Sequence, residues 1–356
     1  MSKNKGDKGN LLLELFSEEI PARMQTGSEK QLTNLFEKSL MNRDIDYGPI
    51  ASFCSPRHLS VIIKNIDLKQ KNQIIEKRGP RFGSNEKAIH GFLKSNNIQE
   101  NDVVIKDTKN GKFYFYLNQI NGINTSEVLP EIINEIINNF VWPKSQRWAY
   151  SELKWARPLR NILLLFNNQP IEGKVAVDKN NFLNFSTYTF GHRNENKKIE
   201  VENIDEYERL LENNYSILER KKRNNKIIND TQLVLKDKDI KLLDDDYLLD
   251  EVLGLVEFPN VLIGTIDKQF MNLPKEVLTT AMKVHQKYFS IVDHKNNLAP
   301  KFLFVSNTIP KKERDKSIIE GNERVLKARL SDANFFWKTD SSTKIEDFNE
   351  KLKNVL

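Results

Sequence analysis

The side chains in this sequence best placed to do chemistry are cations spaced to meet a polyanion. Over Gly321 to Asp340, a turn of about 100° per residue puts Leu326, Leu330, Ala333 and Trp337 on one stripe and Arg324, Lys327 and Lys338 on the opposite side. Such a helix docks by its apolar stripe and offers a basic outer face. Gly321 and Asn322 suit a turn and an N-cap for it. Arg329 falls nearer the apolar edge, beside Phe336. A guanidinium there needs a carboxylate or an outside partner, and Asp332, three residues on, can supply the first.

Three further stretches repeat the theme. From Lys69 to Lys94, Gly79-Pro80 and Gly83 break the chain into an expected loop whose backbone N–H groups lie beside Lys77, Arg78 and Arg81, an arrangement able to grip phosphates. It lacks the Lys-Ser/Thr ending of a mononucleotide loop. From Lys144 to Arg160, the cations Lys144, Arg147, Lys154, Arg157 and Arg160 interleave with Trp148, Tyr150 and Trp155. That pattern fits a strand of RNA and equally a positively decorated core edge. Arg57 and His58 sit at the expected turn Ser55-Pro56-Arg57, where polar groups can face a ligand, and Lys287 opens an expected strand. Gly191-His192-Arg193 puts an imidazole beside a fixed cation. With no partner acid or nucleophile nearby in sequence, His192 reads as a hydrogen-bonding residue. Phe113 to Tyr116 alternate Phe and Tyr, so one face of that strand carries Phe and the other Tyr. A tyrosine face could stack bases, or the Phe face packs inward and leaves Tyr half exposed.

The chain around these residues has 356 residues, 38% of them hydrophobic, with 55 Lys and Arg against 49 Asp and Glu. The net charge of +6, pI near 9.0 and mean hydropathy of −0.58 admit a nucleic-acid partner without requiring one. No apolar run approaches a membrane span, and the first ten residues lack the apolar core of a secretory signal. Cys54 is the single cysteine, which excludes an internal disulfide and a Cys-based metal site and fits a reducing cytoplasm.

Apolar periodicity gives an α+β, multidomain chain of mixed sheets and packed helices. Strands are expected at Leu11 to Phe16, Leu59 to Ile66 and Ile162 to Phe166, and helices from Pro21 to about Met41 and from Ser126 to Phe140. The expected division is a tail at 1–10, an α+β unit at 11–68, a second with basic loops at 69–200, a charged helical segment at 201–246 and an α+β unit at 247–356. Lys236 to Asp246 is the expected weak joint. No nucleotide loop, no H-E-x-x-H spacing and no nucleophile–base set emerges, so no catalytic residue and no resident cofactor or metal is assigned.

Five blocks, in one order, resemble the β subunit of the bacterial-type glycyl-tRNA synthetase: Ser55-Pro56-Arg57-His58-Leu59, Glu76-Lys77-Arg78-Gly79-Pro80, Arg157-Pro158-Leu159-Arg160, Gly191-His192-Arg193, and Ala281 to Phe289 leading to the last helix. The resemblance runs from about Leu11 to Leu356 and covers the N-terminal half of a typical family member. The HD-like and anticodon-binding regions are missing, so the chain reads as a fragment or the product of a split gene. The resemblance implies a tRNA(Gly)-binding subunit of an α2β2 glycine–tRNA ligase in the cytoplasm, with no membrane partner. ATP and Mg²⁺ would be used at a class II site on the α subunit. A general RNA-binding or scaffold module without a synthetase partner is the alternative. Arg57, Lys77, Arg78, Arg147, Arg157, Lys287, Arg324 and Lys327 are the expected tRNA contacts. His192, Arg193, His285 and Arg329 are expected to serve structure or the interface with the α subunit.

Overall fold

A computed structural model describes residues 7–149, 151–236 and 239–352. The apolar run at the start forms β1 (Lys8–Ser17), followed by α1 (Ala22–Met41), β2 (Ile50–Cys54) and β3 (His58–Asp67). Lys8 to Asn10 thus belong to a strand rather than to the expected tail. An inserted module follows: β4 (Gln73–Arg81), α2 (Glu86–Asn96), β5 (Val103–Thr108) and β6 (Gly111–Ile120). The chain then returns through α3 (Thr125–Asn139) to β7 (Leu159–Phe166), β8 (Gln169–Pro170), β9 (Lys174–Ala176) and β10 (Phe182–Ser186).

These strands assemble in the order β2-β3-β1-β7-β10-β9, with β8 on β7; β7 and β10 run parallel and the other pairs antiparallel. One sheet therefore spans the expected boundary at 68/69, and residues 11–68 are not a unit of their own. Leu11, Leu13 and Leu15 of β1 pack on one face with Leu32 and Phe36 of α1 and Ile132 and Ile136 of α3. Leu12 faces the other way, with Tyr207 and Leu211. A strand buried on both faces reads as a continuous apolar run, which is why Leu11 to Phe16 shows little alternation.

The second face is closed by β11 (Tyr188–Phe190), β12 (Lys198–Glu200) and α4 (Tyr207–Asn213). Then come α5 (Arg220–Leu235), β13 (Ile240–Leu242), α6 (Asp246–Leu253), β14 (Pro259–Thr265), α7 (Lys275–Thr280), β15 (Phe289–Asp293), β16 (Leu298–Asn307), α8 (Lys312–Ser342) and α9 (Ile345–Leu352). A second antiparallel sheet has the order β13-β15-β16-β14. Leu262, Phe302 and Phe304 pack with Leu326 and Leu330 of α8 on one face, and Val261, Ile291 and Leu303 pack with Ile227 of α5 and Val252 of α6 on the other. The expected weak joint carries β13, which pairs with β15; Asp237 and Lys238 lie outside the described residues. No helix among the described residues is long and apolar enough to cross a membrane.

Helix α8 corrects one expectation. Gly321 and Asn322 neither turn the chain nor cap it; they lie inside a continuous helix of 31 residues that starts at Lys312, just after Pro310. A glycine inside a helix costs about 1 kcal/mol. Asn322 makes the position useful, since its side chain accepts a hydrogen bond from Tyr288 Oη at 2.5 Å and donates to the Ile318 carbonyl at 2.7 Å. The apolar stripe is buried only at Leu326 and Leu330, while Trp337 is 45% exposed.

Candidate nucleic-acid interface

In the inserted module, the segment expected to be a basic loop is largely strand β4, because Gln73 to Arg78 pair with β6 in register. The Gly-Pro pair appears as a register shift between Arg78 and Arg81, not as an open loop. Lys77 and Arg78 remain exposed. Lys77 Nζ donates to Asn96 Oδ1 at 3.0 Å, and the Arg78 guanidinium lies 3.6 Å from the centre of the Phe113 ring. Arg81 lies against Gly111, whose φ of +106° and close approach to that guanidinium both favour a residue without Cβ. The module leaves the body through a narrow neck. Gln70 N–H donates to the Ile123 carbonyl at 2.9 Å, and a Cβ on Gly122 would lie 1.9 Å from the Gln70 carbonyl oxygen.

Along α8, Arg324 is exposed, and Lys327 pairs with Asp267 at 3.0 Å, which holds that carboxyl below its usual range. Both cations line a cleft of about 580 Å³ that also carries Glu320 and Glu323. His285, at the end of a π turn that continues α7 over Ala281–His285, meets Arg329, Asp332 and Phe336 around a second cleft of about 560 Å³. Arg329 has no ion-pair partner among the described residues, so the carboxylate expected from Asp332 is near but not bonded to it. Lys287 adopts φ +58° and pairs with Glu251 at 3.0 Å, which delays β15 to Phe289.

Arg57 and His58 do not face outward as expected. Arg57 is 5% exposed and spends its guanidinium on Glu257 (2.7 and 3.2 Å) and the Gly191 carbonyl (2.7 Å). His58 is fully buried, its Nδ1 3.0 Å from Glu14 Oε2, which also accepts from Thr189 Oγ1 and Tyr207 Oη. His192 is likewise buried. Its Nδ1 accepts from the Asn194 N–H at 3.1 Å, so Nε2 donates to Asn307 Oδ1 at 3.0 Å and the ring is neutral. Burial holds its pKa below the ordinary value. Arg193 is exposed and paired with Glu19. Arg147 is exposed; Arg157 is half-buried and donates to the Ala156 carbonyl at 2.8 Å. Trp155 is not interleaved at the surface, because it packs with Phe140 and Trp142 in the core, and Tyr150 lies outside the described residues.

Two residues that hold this region together escaped the sequence reading. Glu257 sits in the otherwise apolar run Leu255-Val256-Glu257-Phe258, and a lone acid in such a run is the signal that could have found it. Arg223 belongs to the basic cluster at the start of α5 but is fully buried, donating to the carbonyls of Cys54, Ile217, Leu218 and Leu253, and burial lowers its pKa to about 10. Its place four residues before the buried Ile227 sets it apart from Lys221 and Lys222.

Three of the five sequence blocks converge here: Arg57, Arg160 and Arg193 line one cleft of about 420 Å³ with Glu18, Tyr188 and Phe190. The family described as glycyl-tRNA synthetase beta subunit matches residues 11–356. The chain belongs to that family. Glycine–tRNA ligase beta subunits of Rickettsia bellii (strain OSU 85-389) and Rickettsia canadensis (strain McKiel) are 41% identical over 349 residues and 40% identical over 343. The alignments cover 97% and 96% of this chain and 51% and 50% of those proteins. The chain thus spans about half the length of these curated relatives, and the resemblance read from its blocks holds. Within the glycyl-tRNA synthetase beta subunit family frame, the blocks serve different ends. Those around Arg57 and His192 build the interior, whereas the one around Lys77 and Arg78 stands at the surface.

Proposed function

We propose that this chain is the tRNA-handling part of a glycine–tRNA ligase β subunit. It binds tRNA(Gly) in the cytoplasm, while a separate α subunit, in an α2β2 assembly, joins glycine to the tRNA with ATP cleaved to AMP and pyrophosphate. ATP and Mg²⁺ act in the reaction of the whole enzyme. The observation that carries this reading is the family match over nearly the entire chain. The exposed cations Lys77, Arg78, Arg147 and Arg324 support it, with Lys327 a further candidate once released from Asp267. Arg157 and Lys287 would contribute at the margins of the same surfaces, and His285, Arg193 and Arg329 at a protein interface. Arg57 and His192 support this function from inside the protein. The family match favours this reading over a general RNA-binding or scaffold role.

Filter binding of tRNA(Gly) across a salt series tests it. Each phosphate contact contributes about 0.7–0.9 to the slope of log affinity against log salt. Reversing both charges, Lys77→Glu with Arg78→Glu, should weaken binding and lower the slope by about 1–2. An unchanged slope removes the module from the interface, and a wild-type chain with no affinity for tRNA removes the reading itself.

A further inference from the structure

We infer that the Arg78 guanidinium, held flat on Phe113 on one sheet face of the inserted module, is a stacking platform for unpaired RNA bases. This rests on the tRNA-binding reading and adds which part of an RNA the module takes.

Directly opposed residues of an antiparallel ladder share a face. Arg78 stands opposite Phe115, Arg81 and Lys106 opposite Phe113, Val104 opposite Phe115, and Glu76 opposite Leu117. One face therefore holds two phenylalanine rings, three cations and one carboxylate. Helix α2 lies on the other face. Lys77, opposite Tyr116, reaches Asn96 of α2, and Phe82 packs 5.7 Å from Tyr114. On this face Arg78 is exposed, and Ile74, Val104 and Leu117 are 66%, 41% and 38% exposed, while Phe115 is buried beside them at 8% and Phe113 is half-buried beneath the Arg78 guanidinium.

Its polar groups are arranged over the rings. The Arg78 guanidinium is stacked on Phe113, and Lys106 Nζ sits 5.6 Å above Phe115 while pairing with Glu76 at 2.6 Å. A guanidinium held flat by a ring beneath presents its other side as a flat, cationic surface. An occupant must be planar and apolar on its faces and anionic at its rim, to match the excess of cations. Nucleotides with splayed bases meet all three conditions. A duplex hides its base faces and cannot stack on that surface. Of the two expectations for this strand, the one with Phe packed inward and Tyr half exposed holds at Phe115, Tyr114 and Tyr116, and the flat surface left for stacking is the exposed Arg78 guanidinium rather than a tyrosine ring.

The test uses the full chain with a short unstructured oligoribonucleotide, an RNA duplex of similar length, and tRNA(Gly), followed by fluorescence anisotropy. Arg78→Lys keeps the charge and removes the planar surface. It should weaken single-strand binding about tenfold while leaving duplex affinity and the salt slope unchanged. Phe113→Leu should show the same selective loss; should its thermal midpoint fall, the exposed Arg78→Lys variant decides. Equal loss on both RNAs, or on neither, overturns the inference. So does an Arg78→Lys chain that keeps its RNA affinity but loses a class II α subunit in co-purification, which would make the face a protein interface. A wild-type chain that binds tRNA but not the single strand overturns the platform and leaves the tRNA reading standing; one that binds the single strand but not tRNA does the reverse.

Discussion

Arg57 and Glu257 are 200 positions apart in the chain and 2.7 Å apart in space, with both side chains buried. The pair joins the turn after β2 to the strand-leading segment before β14, and Glu257 Oε2 also accepts the Arg193 N–H at 3.1 Å. Removing one member of a buried pair strands the other charge, at a cost of about 3–5 kcal/mol. Arg57→Ala should lower the free energy of unfolding measured in urea by that amount, whereas Arg57→Met with Glu257→Leu should recover much of the loss. If Arg57→Ala is as stable as the wild type, the pair does not hold these segments together.

The neutral His192 makes stability depend on pH in a defined direction. Its pKa lies below 6.5 in the folded chain because burial disfavours the charged ring. The unfolded chain therefore takes up the proton first as pH falls. The contribution is complete above about 6.5 and is lost as pH drops toward the folded value. Unfolding midpoints measured at neutral pH and again near pH 5.5 should diverge more for the wild type than for His192→Gln. Equal divergence would mean that the ring titrates freely.

Gly122 controls the neck of the inserted module. A methyl group there would meet the Gln70 carbonyl oxygen at 1.9 Å, and backbone cannot yield as a side-chain tip can. Gly122→Ala should cost about 1–3 kcal/mol and concentrate its effect locally. Limited proteolysis should cut faster near residues 70 and 122, while the β1–β7 core keeps its protection. Uniform loss of protection would show that the neck and the core unfold together.

Local pattern was legible wherever an element's own residues decide it. The helix expected from Ser126 to Phe140 is Thr125–Asn139, and the strand expected from Leu59 to Ile66 is His58–Asp67. Long-range pairing was not. Nothing in the spacing says that Leu13 lies beside Leu164, so the boundary expected at 68/69 cut through a sheet. Cations were visible as cations, but their destinations were not. Arg57 and Arg78 were both placed at expected turns or loops, and only the fold reveals that one meets Glu257 and the other Phe113. Gly321 was read as the turn before the helix because glycine is costly inside one. Here Tyr288, from a different element, hydrogen-bonds the neighbouring Asn322 and carries the helix through.

The polypeptide leaves the body at Leu68 and re-enters at Thr125, and these two residues are joined by a hydrogen bond of 2.8 Å. Exit and return are thus side by side, and the core closes whatever travels between them. Lengthening, trimming or reshaping that excursion leaves this junction in place, so the core can close whatever the excursion's length.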